Sequence, residues 1–539
     1  MVMPPLRSFG RFIMVVASRL CRDVFDQTQS RNWAFNRHAR AGGHPVFSLA
    51  LDSRFRGNDV TPGRVTLQEK TVRHFVFRLA MPLLALSIAG CATHADRLTG
   101  FRAAWGNADF KAADAEINHL LADEADLSVE DVARERALNV PAGEDDAVLL
   151  LMEKAMVLLA EGDTGAATSL LRRARDTLDD NEFAGVDDFM QAAISDDTAY
   201  DYPGQDYERI TIRVLLALMD LISGEGDAYA YALQVGEEQE QILASDFGDK
   251  QGYKPREHYR RVAVGAYLQG IMLESTLAPD EARFAYERML SYQPDSLLGK
   301  AGLERVTNGR YANPGNGVLH VFYLAGRGPH FEQTYDHATS DAVRIAGLIA
   351  TIATDSIVPF AQADIPVPAL SIADDRPMPL TVRAGEGIAD TETLLDVNQV
   401  ALEQLSAMMP MILARALVRR AVKSSIITGA SKAGAHLEGR DGKGLSEALG
   451  ALGNLLWTAT EQADTRNWCS LPAEIQAARL ELPAGEQRVD LGAGMEASVR
   501  IRPGRDSYVL VLRPDLHKPG VVFVDRASRA LNQPNNAER

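Results

Sequence analysis

Residues 71–91 are the part of the chain whose residue types and order point most directly to chemistry. They read TVRHFVFRLAMPLLALSIAGC, in which Arg73 and Arg78 give a basic start, an apolar run follows, and small residues lead to Cys91. This is the layout of a secretory signal. The apolar run is about ten residues long, whereas a membrane-spanning helix needs roughly 20. The segment can therefore enter a translocon but cannot span a bilayer stably.

The end of this segment resembles the lipobox of bacterial lipoproteins, and it consists of Ile88, Ala89, Gly90 and Cys91. The resemblance implies that a lipoprotein signal peptidase recognises the three small or apolar residues and removes residues 72–90. It also implies that the Cys91 thiol receives diacylglycerol and becomes the acylated N-terminus, which anchors the protein on a membrane. The alternative is a buried helix that ends in Ala-Gly-Cys by coincidence.

The residue after this cysteine is Ala92 rather than Asp. In enterobacterial-type sorting, an Asp at this position retains a lipoprotein at the inner membrane. We therefore expect a lipid anchor in the outer membrane, on its periplasmic face.

Residues 1–71 precede the signal and do not resemble a domain. Within them, residues 37–59, RHARAGGHPVFSLALDSRFRGND, resemble the conceptual translation of an intergenic repeat that recurs in proteobacterial genomes. We therefore expect residues 1–71 to be a non-native, disordered extension, with the true start at Val72. A genuine N-terminal extension is the alternative.

Composition excludes several classes of protein. The chain has 539 residues and a formal net charge of -17, which argues against nucleic acid as a partner because a phosphate backbone needs clustered Lys and Arg. The cysteines, Cys21, Cys91 and Cys469, are too few and too scattered for a disulfide framework or a cysteine zinc site. After acylation of Cys91 and removal of the leader, Cys469 is the remaining thiol, and we expect it to be inert.

No pattern in the sequence predicts catalysis. His320, His330 and His337 lie within one region, but their spacing does not place two imidazoles on one helical face, so we interpret them as surface or strand-packed residues. The chain has no Gly-rich phosphate loop after a strand and no Gly-x-Ser-x-Gly elbow. We therefore predict a protein that is not an enzyme and has neither a metal nor another cofactor.

The fold class predicted from periodicity is α+β. Residues 91–310 show apolar residues at spacings of three and four, with repeated breaks that resemble the turns of tetratricopeptide (TPR) hairpins, although their spacing is irregular. Breaks of this kind occur at residues 105–113, 161–167, 224–230 and 278–283. A TPR-like helical-repeat array is therefore expected in this half of the chain.

The remainder is predicted to contain a β-rich region (311–395), a helical hairpin (396–462), a small C-terminal β module (463–526) and a disordered tail (527–539). Within the β-rich region, residues 318–324 and the short run after them are interpreted as a β-hairpin. The helical hairpin is predicted to pair a long helix, kinked before Pro410, with residues 445–460.

The most unusual run lies where the helical hairpin is followed by the C-terminal β module. Residues 460–468, TEQADTRNW, place Glu461, Asp464, Arg466 and Trp468 close together. One interpretation is a salt-bridged joint between domains, in which Arg466 pairs with a carboxylate of the same run or of the β module and Trp468 is buried. The other interpretation is a site for a partner or ligand.

Together with residues 207–209 (YER) and 409–415 (MPMILAR), this run resembles a family of uncharacterised proteobacterial lipoproteins with a TPR-like N-terminal half. The resemblance covers roughly residues 98–503 and is firmest at residues 461–468. It implies an envelope location and a non-enzymatic role. Members encoded near small lipoproteins that resemble penicillin-binding-protein activators point towards cell-wall assembly.

The resulting prediction is a periplasmic scaffold or adaptor in envelope assembly. Its expected partners are the membrane, through acylated Cys91, and envelope proteins that include other lipoproteins. The alternative is a binding protein for an envelope ligand such as a glycan or lipid. A closed apolar cavity would favour the ligand alternative, whereas an open concave helical groove would favour the scaffold.

Overall fold

The computed structural model describes residues 93–143, 146–181, 201–244, 256, 259–309, 311–354, 364–437 and 462–532. Several predictions fall outside these residues: the extension 1–71, the signal peptide 72–90 with Ile88, Ala89 and Gly90, the lipidation site Cys91, the hairpin partner 445–460 and the joint residue Glu461. In the described part the chain combines a helical layer with β-sheets, so the α+β class is confirmed.

The helical layer occupies the first half of the described chain. Its described helices are α1 (His94–Arg97), α2 (Thr99–Gly106), α3 (Phe110–Ala125), α4 (Val129–Arg134), α5 (Ala147–Ala160), α6 (Thr164–Asp180), α7 (Asp206–Ser223), α8 (Ala228–Ala244), α9 (Val264–Ser275), α10 (Pro279–Tyr292) and α11 (Leu297–Thr307). Side chains that accept from the first-turn N–H groups fix several starts, as Asp109 does for α3 and Asp163 for α6. Every residue of α5 is buried, so this helix lies at the centre of the layer.

The rest of the chain supplies the strands and three further helices. They are β1 (Asn316–Ala325), β2 (His330–His337), α12 (Ser340–Thr354), β3 (Asp364–Ser371), β4 (Thr381–Ala384), β5 (Gly387–Asp390), β6 (Glu392–Asp396), α13 (Val397–Leu437), β7 (Glu474–Pro483), β8 (Gly485–Asp490), β9 (Glu496–Ile501), β10 (Asp506–Arg513), β11 (Val521–Val524) and α14 (Arg529–Asn532). The strands form one five-stranded sheet in the order β11-β10-β1-β7-β6, one four-stranded sheet in the order β5-β4-β8-β9, and the pair β2-β3.

Strand β1 is the centre of the five-stranded sheet, parallel to β10 and antiparallel to β7. Its residues alternate between two cores: Phe322 and Leu324 pack with the helical layer, whereas Leu319 and Val321 pack with the four-stranded sheet. The alternation follows from the period of two in a strand. The helical layer, the five-stranded sheet and the four-stranded sheet are therefore three successive layers.

The predicted hairpin at residues 318–324 is wrong, because β1 pairs with β7 and β10 while β2 pairs with β3. A strand buried on both faces needs neighbours on both edges, and here the C-terminal strands provide them. Consequently, strands from residues 311–395 and from residues 463–526 share one sheet instead of forming two separate regions.

Helix α13 continues through Pro410. By length and composition its part Val397–Ala421, with a mean hydropathy of 1.3, could cross a membrane. In this fold it packs against α12 and β3, where Leu413 and Leu417 share a core with Ile345 and Val367, and less than half of its most apolar window is buried. At the other end of the chain, part of the predicted tail is ordered as α14, whose Asn532 side chain donates to the Ser498 carbonyl.

Candidate functional site

The candidate site lies around residues 462–473, which we call the joint segment. This segment has no regular secondary structure before β7 begins, so its buried backbone N–H groups need acceptors from elsewhere. Two glutamates of the helical layer supply them. The Trp468 N–H donates to Glu208 Oε1 (2.6 Å), while the N–H groups of Cys469 and Ser470 donate to Glu153 Oε1 (2.7 Å) and Oε2 (3.0 Å).

Local sequence explains how each glutamate reaches this position. Glu153 lies in the middle of α5, within the otherwise apolar run AVLLLMEKAMVLLA. Glu208 is the third residue of α7 and forms a capping box with Gln205. Its Oε2 accepts from the Tyr202 hydroxyl (2.6 Å) and from the Gln205 N–H (3.1 Å). Both glutamates are fully buried, so they act as fixed acceptors and not as surface charges.

Burial and hydrogen bonding act in opposite directions on these carboxylates. Burial raises the pKa of Glu208 to about 7, even though the donors Tyr202, Trp468 and Gln205 oppose the shift. Burial likewise raises the pKa of Glu153 above its ordinary value, against the hydrogen bonds from Ser470 and Cys469. A carboxylate in an apolar core favours its protonated form unless donors compensate, and here the compensation is incomplete.

Arg466 supplies the positive charge of the site. Its Nε and one terminal nitrogen donate to the two oxygens of Asp464 at 3.0 and 2.9 Å, and its other terminal nitrogen lies 3.5 Å from Asp146. The guanidinium also lies over the Tyr202 ring, 5.4 Å from its centroid. Arg466 is only 3% exposed, whereas the Asp464 and Asp146 side chains are 26% and 18% exposed, so this is a partly desolvated ion pair with bidentate geometry.

Asp146 extends the ion-pair network to the start of the helical layer. His94 lies 3.2 Å from this carboxylate and Arg97 lies 3.4 Å from it. Burial alone would raise the pKa of Asp146, but His94, Arg466 and Arg97 together lower it to about 2. The carboxylate therefore stays ionised throughout the ordinary pH range.

The joint segment also binds the connection between β1 and β2. The Asn467 side chain accepts from the Phe331 N–H (3.0 Å) and donates to the Pro329 carbonyl (2.9 Å). On the other side, Thr465 accepts from the Ala95 N–H at 3.1 Å. Trp468 is fully buried. The joint segment thus ties the helical layer to the five-stranded sheet.

Three of the four residues predicted for this site lie together here: Asp464, Arg466 and Trp468. The pairing of Arg466 with a carboxylate of its own run and the burial of Trp468 are confirmed. The sequence interpretation missed Asp146, Glu153 and Glu208. For Glu153 a signal was present, because a charged residue inside a long apolar helical run must find a partner when it is buried, whereas Glu208 lies in the polar first turn of α7 and carried no such signal.

The chemistry available at the joint is structural. Its carboxylates are occupied by N–H groups and by Arg466, and the Cys469 thiol is buried beside Glu153, where burial raises its pKa. A thiol of this kind is a poor nucleophile. Within the residues that the structure describes, no group of three or more His, Cys, Asp and Glu side chains is placed to hold a metal ion.

Two clefts lie elsewhere on the described surface. The first, which we call the α13 cleft, is about 540 Å³ and lies between the start of α7 and the first turns of α13, with Leu402, Met408 and Arg260 in its lining. The second, which we call the Asp220 cleft, is about 470 Å³ and lies where α7 and α9 end, with Tyr229 and Tyr508 in its lining. These two clefts are candidates for binding partners or ligands.

The chain matches no protein-family model, no curated protein and no solved structure.

Proposed function

We propose that the protein is a membrane-anchored lipoprotein that acts as a scaffold or adaptor in envelope assembly. In this proposal the helical layer is a degenerate TPR-like array that binds partner polypeptides. The packing supports it, since successive helices contact one another along the chain: α2 with α3, α5 with α6, α7 with α8, α9 with α10, and α10 with α11. Contact between neighbours in sequence is typical of helical-repeat arrays.

The single observation that carries the proposal is the way in which the helical layer holds the joint segment. A stretch of polypeptide without regular secondary structure is bound through its backbone N–H groups by Glu153 and Glu208, and through one of its side chains by Asp146. The helical layer thus binds a peptide segment that belongs to its own chain. Because the joint segment already fills that surface, a partner would use another face of the layer.

The proposed anchor is the acylated Cys91, made after recognition of Ile88, Ala89 and Gly90. The described body starts only two residues later, at Thr93, which caps α1 through its hydroxyl. His94 and Ala95 are already buried. Acyl chains on Cys91 would therefore hold the helical layer close to the bilayer, on the periplasmic face of the outer membrane in our proposal. The proposal involves neither a cofactor nor catalysis.

Site-specific photocrosslinking in whole cells tests the scaffold function. A photoreactive residue replaces Leu233, which is 38% exposed on α8, or, as the matched control, Ile388, which is 69% exposed on β5. We expect discrete adducts with one or a few envelope proteins from position 233 and not from position 388. The absence of a discrete adduct from position 233 and from other exposed positions of the helical layer would contradict the proposal.

A specific feature supports a second candidate function, the binding of a lipid or glycan. The α13 cleft combines apolar side chains of a helix, Leu402 and Met408, with Arg256 and Arg260, which pair with the cleft-lining Asp206 (2.8 Å) and Glu403 (3.6 Å). An apolar wall beside arginines suits an acyl chain with an acidic head group. Co-purification of a lipid that is lost on Leu402→Asp would favour this function over the scaffold.

A further inference from the structure

The Asp220 cleft lies where two helices end together. Helix α7 ends at Ser223 and is capped by Gly224, which has a φ of 68°; only glycine adopts this conformation readily. Helix α9 ends at Ser275 on the other side of the cleft. Because the carbonyl ends of helices carry a partial negative charge, both helices make the cleft electronegative.

Asp220 adds a full negative charge to this cleft. It is 3% exposed, and its Oδ2 accepts from the N–H groups of Gly226 (3.1 Å) and Ala228 (2.8 Å), which begins α8. Its Oδ1 has no hydrogen-bond partner among the residues that the structure describes. A buried carboxylate oxygen without a donor is costly. Asp220 lines the cleft but its Oδ1 is enclosed, so a donor that enters the cleft reaches this oxygen by displacing neighbouring lining side chains.

The walls of the cleft suit a cation on an aliphatic stem. Tyr229 and Tyr508 contribute aromatic rings, whose faces attract cations, while Met272 and Leu273 contribute apolar contact. Leu277, which follows the cleft-lining Thr276, is 77% exposed and has a φ of 58°. The left-handed conformation is uncommon for a residue other than glycine and costs conformational energy.

The charges on the rim of the cleft largely balance one another, so Asp220 is the charge that a ligand in the cleft would meet. Glu225 and Asp227 lie in the turn between α7 and α8, and Arg172 pairs with both of them at 2.9 and 3.6 Å. Arg526 lies next to Gly224 on the same rim. Arg529 donates to the Ile222 carbonyl at the end of α7 (3.2 Å), so three guanidinium groups balance the three carboxylates when Asp220 is included. The formal net charge of the chain, -17, favours the approach of a basic partner.

We propose that the Asp220 cleft binds a lysine or arginine side chain of a partner polypeptide. The aliphatic stem lies along Met272 and Leu273, and the cationic head reaches Asp220 between the two tyrosines. This inference rests on the proposed scaffold function and names the chemistry by which a partner is recognised. A carboxylate, aromatic rings and an apolar wall together recognise a stem with a positive end and discriminate against a neutral or acidic one.

The test uses two blocked tripeptides, N-acetyl-Gly-Lys-Gly-amide and its norleucine analogue, titrated by calorimetry into the purified full-length protein. Norleucine keeps the aliphatic stem and removes the charge. We expect the lysine peptide to bind about 10-fold or more tightly than the norleucine peptide. Equal affinity of the two peptides would overturn the proposal, because the cleft would then recognise apolar surface alone.

Variants of the protein test whether the lysine peptide binds at the Asp220 cleft. Asp220→Asn keeps a carbonyl oxygen for the Gly226 and Ala228 N–H groups but removes the charge, so we expect the affinity for the lysine peptide to fall about 10- to 100-fold. Glu116→Gln removes the same charge from an exposed residue of α3 that is not part of the cleft or its rim, and it should leave the affinity within about 2-fold. If Asp220→Asn does not fold, Tyr229→Ala, at a half-exposed position, should weaken binding several-fold through loss of the ring. Unchanged affinity in a folded Asp220→Asn protein, or in Tyr229→Ala when Asp220→Asn cannot be measured, would overturn the proposal.

The photocrosslinking experiment separates this inference from the scaffold function. If position 233 gives envelope adducts while neither tripeptide binds, the scaffold function stands and the assignment of the Asp220 cleft is wrong. If the lysine peptide binds with the expected dependence on Asp220 but no position on the helical layer gives an adduct, the cleft assignment stands and the scaffold function is wrong.

Discussion

The joint segment and the Asp220 cleft are both built around a buried carboxylate of the helical layer, but they differ in whether both oxygens of that carboxylate are hydrogen-bonded. In both, a buried carboxylate of the helical layer accepts from consecutive or nearby backbone N–H groups. At the joint, both oxygens of Glu153 are occupied and the surface is filled by the chain itself. At the cleft, one oxygen of Asp220 lacks a partner among the described residues and aromatic side chains are exposed. We infer that the satisfied carboxylate stabilises the fold, whereas the unsatisfied one beside the cleft is available to a ligand.

The largest effect that this comparison predicts is at Glu153. Glu153→Ala leaves the buried Cys469 and Ser470 N–H groups without acceptors, so we expect the free energy of unfolding to fall by about 3–5 kcal/mol in urea denaturation. Glu116→Ala, an exposed glutamate of α3, is the control and should change it by less than about 0.5 kcal/mol. If the two variants lost similar amounts of free energy of unfolding, the hydrogen bonds to Glu153 would not be what stabilises the joint segment.

Arg466 provides the next largest effect. Arg466→Ala removes the partner of Asp464 and Asp146, and since those two side chains remain partly exposed, we expect a loss of about 1–3 kcal/mol. Arg466→Lys keeps the charge but not the bidentate geometry, and it should recover only part of that loss. The thermal unfolding midpoint is a convenient measure. An unchanged midpoint together with a lost envelope adduct would favour a partner-binding role for this residue instead.

The pH dependence of stability tests the carboxylates of the joint. The pKa of Glu208 is raised to about 7, so the folded state binds its proton more tightly than the unfolded state, and stability rises as the pH falls from about 8 towards 5. This linkage contributes about 2 kcal/mol between pH 8 and pH 5.5. That contribution should be absent in Glu208→Gln, while the smaller gain from the raised pKa of Glu153 remains. If wild type and Glu208→Gln show the same pH dependence over this range, the raised pKa is wrong.

At lower pH the direction reverses because of Asp146. Its pKa is lowered to about 2, so its contribution is present above the ordinary pKa of an aspartate and is lost as the pH falls towards 2. Asp146→Asn should therefore flatten the acid limb of the stability curve and leave the limb above pH 5 unchanged. If the stability of this variant still fell steeply at low pH, groups other than Asp146 would be responsible for acid unfolding.

The smallest effect concerns the reactivity of Cys469. Because the thiol is buried and its pKa is raised by burial, alkylation by iodoacetamide should require opening of the joint. We expect mass spectrometry of the peptide that contains Cys469 to show negligible labelling in native wild type and faster labelling in Glu153→Ala. Rapid labelling of native wild type would mean that the joint opens freely.

The sequence predicted features that depend on local pattern. The helices followed from apolar spacing, and the joint residues Asp464, Arg466 and Trp468 followed from the density of acid, base and Trp where two elements meet. The acceptors of the joint could not be predicted in the same way, because Glu208 and Glu153 are 260 and 316 residues away from the N–H groups that they bind. The predicted hairpin failed for the same reason, since the partners of β1 come from the C-terminal strands.

The Asp220 cleft was also beyond the reach of local pattern. Residues 224–230 were recognised as a turn between helices, and that turn does join α7 to α8. The cleft itself requires the end of α9 and Tyr508 from β10 to come together with this turn. Only the tertiary fold brings these three segments together, whereas Asp220 alone resembles any acidic residue near the end of a helix.

The proposed function is that of a membrane-anchored scaffold, and the anchor is the acylated Cys91. The acylation of Cys91 is therefore the central claim. Metabolic labelling with palmitate, followed by fractionation of the envelope, tests it most directly. We expect wild type to take up label and to stay with the outer membrane in high salt, and Cys91→Ser to take up none and to remain an unprocessed precursor or a soluble periplasmic form. Wild-type protein that took up no label and washed off membranes in high salt would contradict the account.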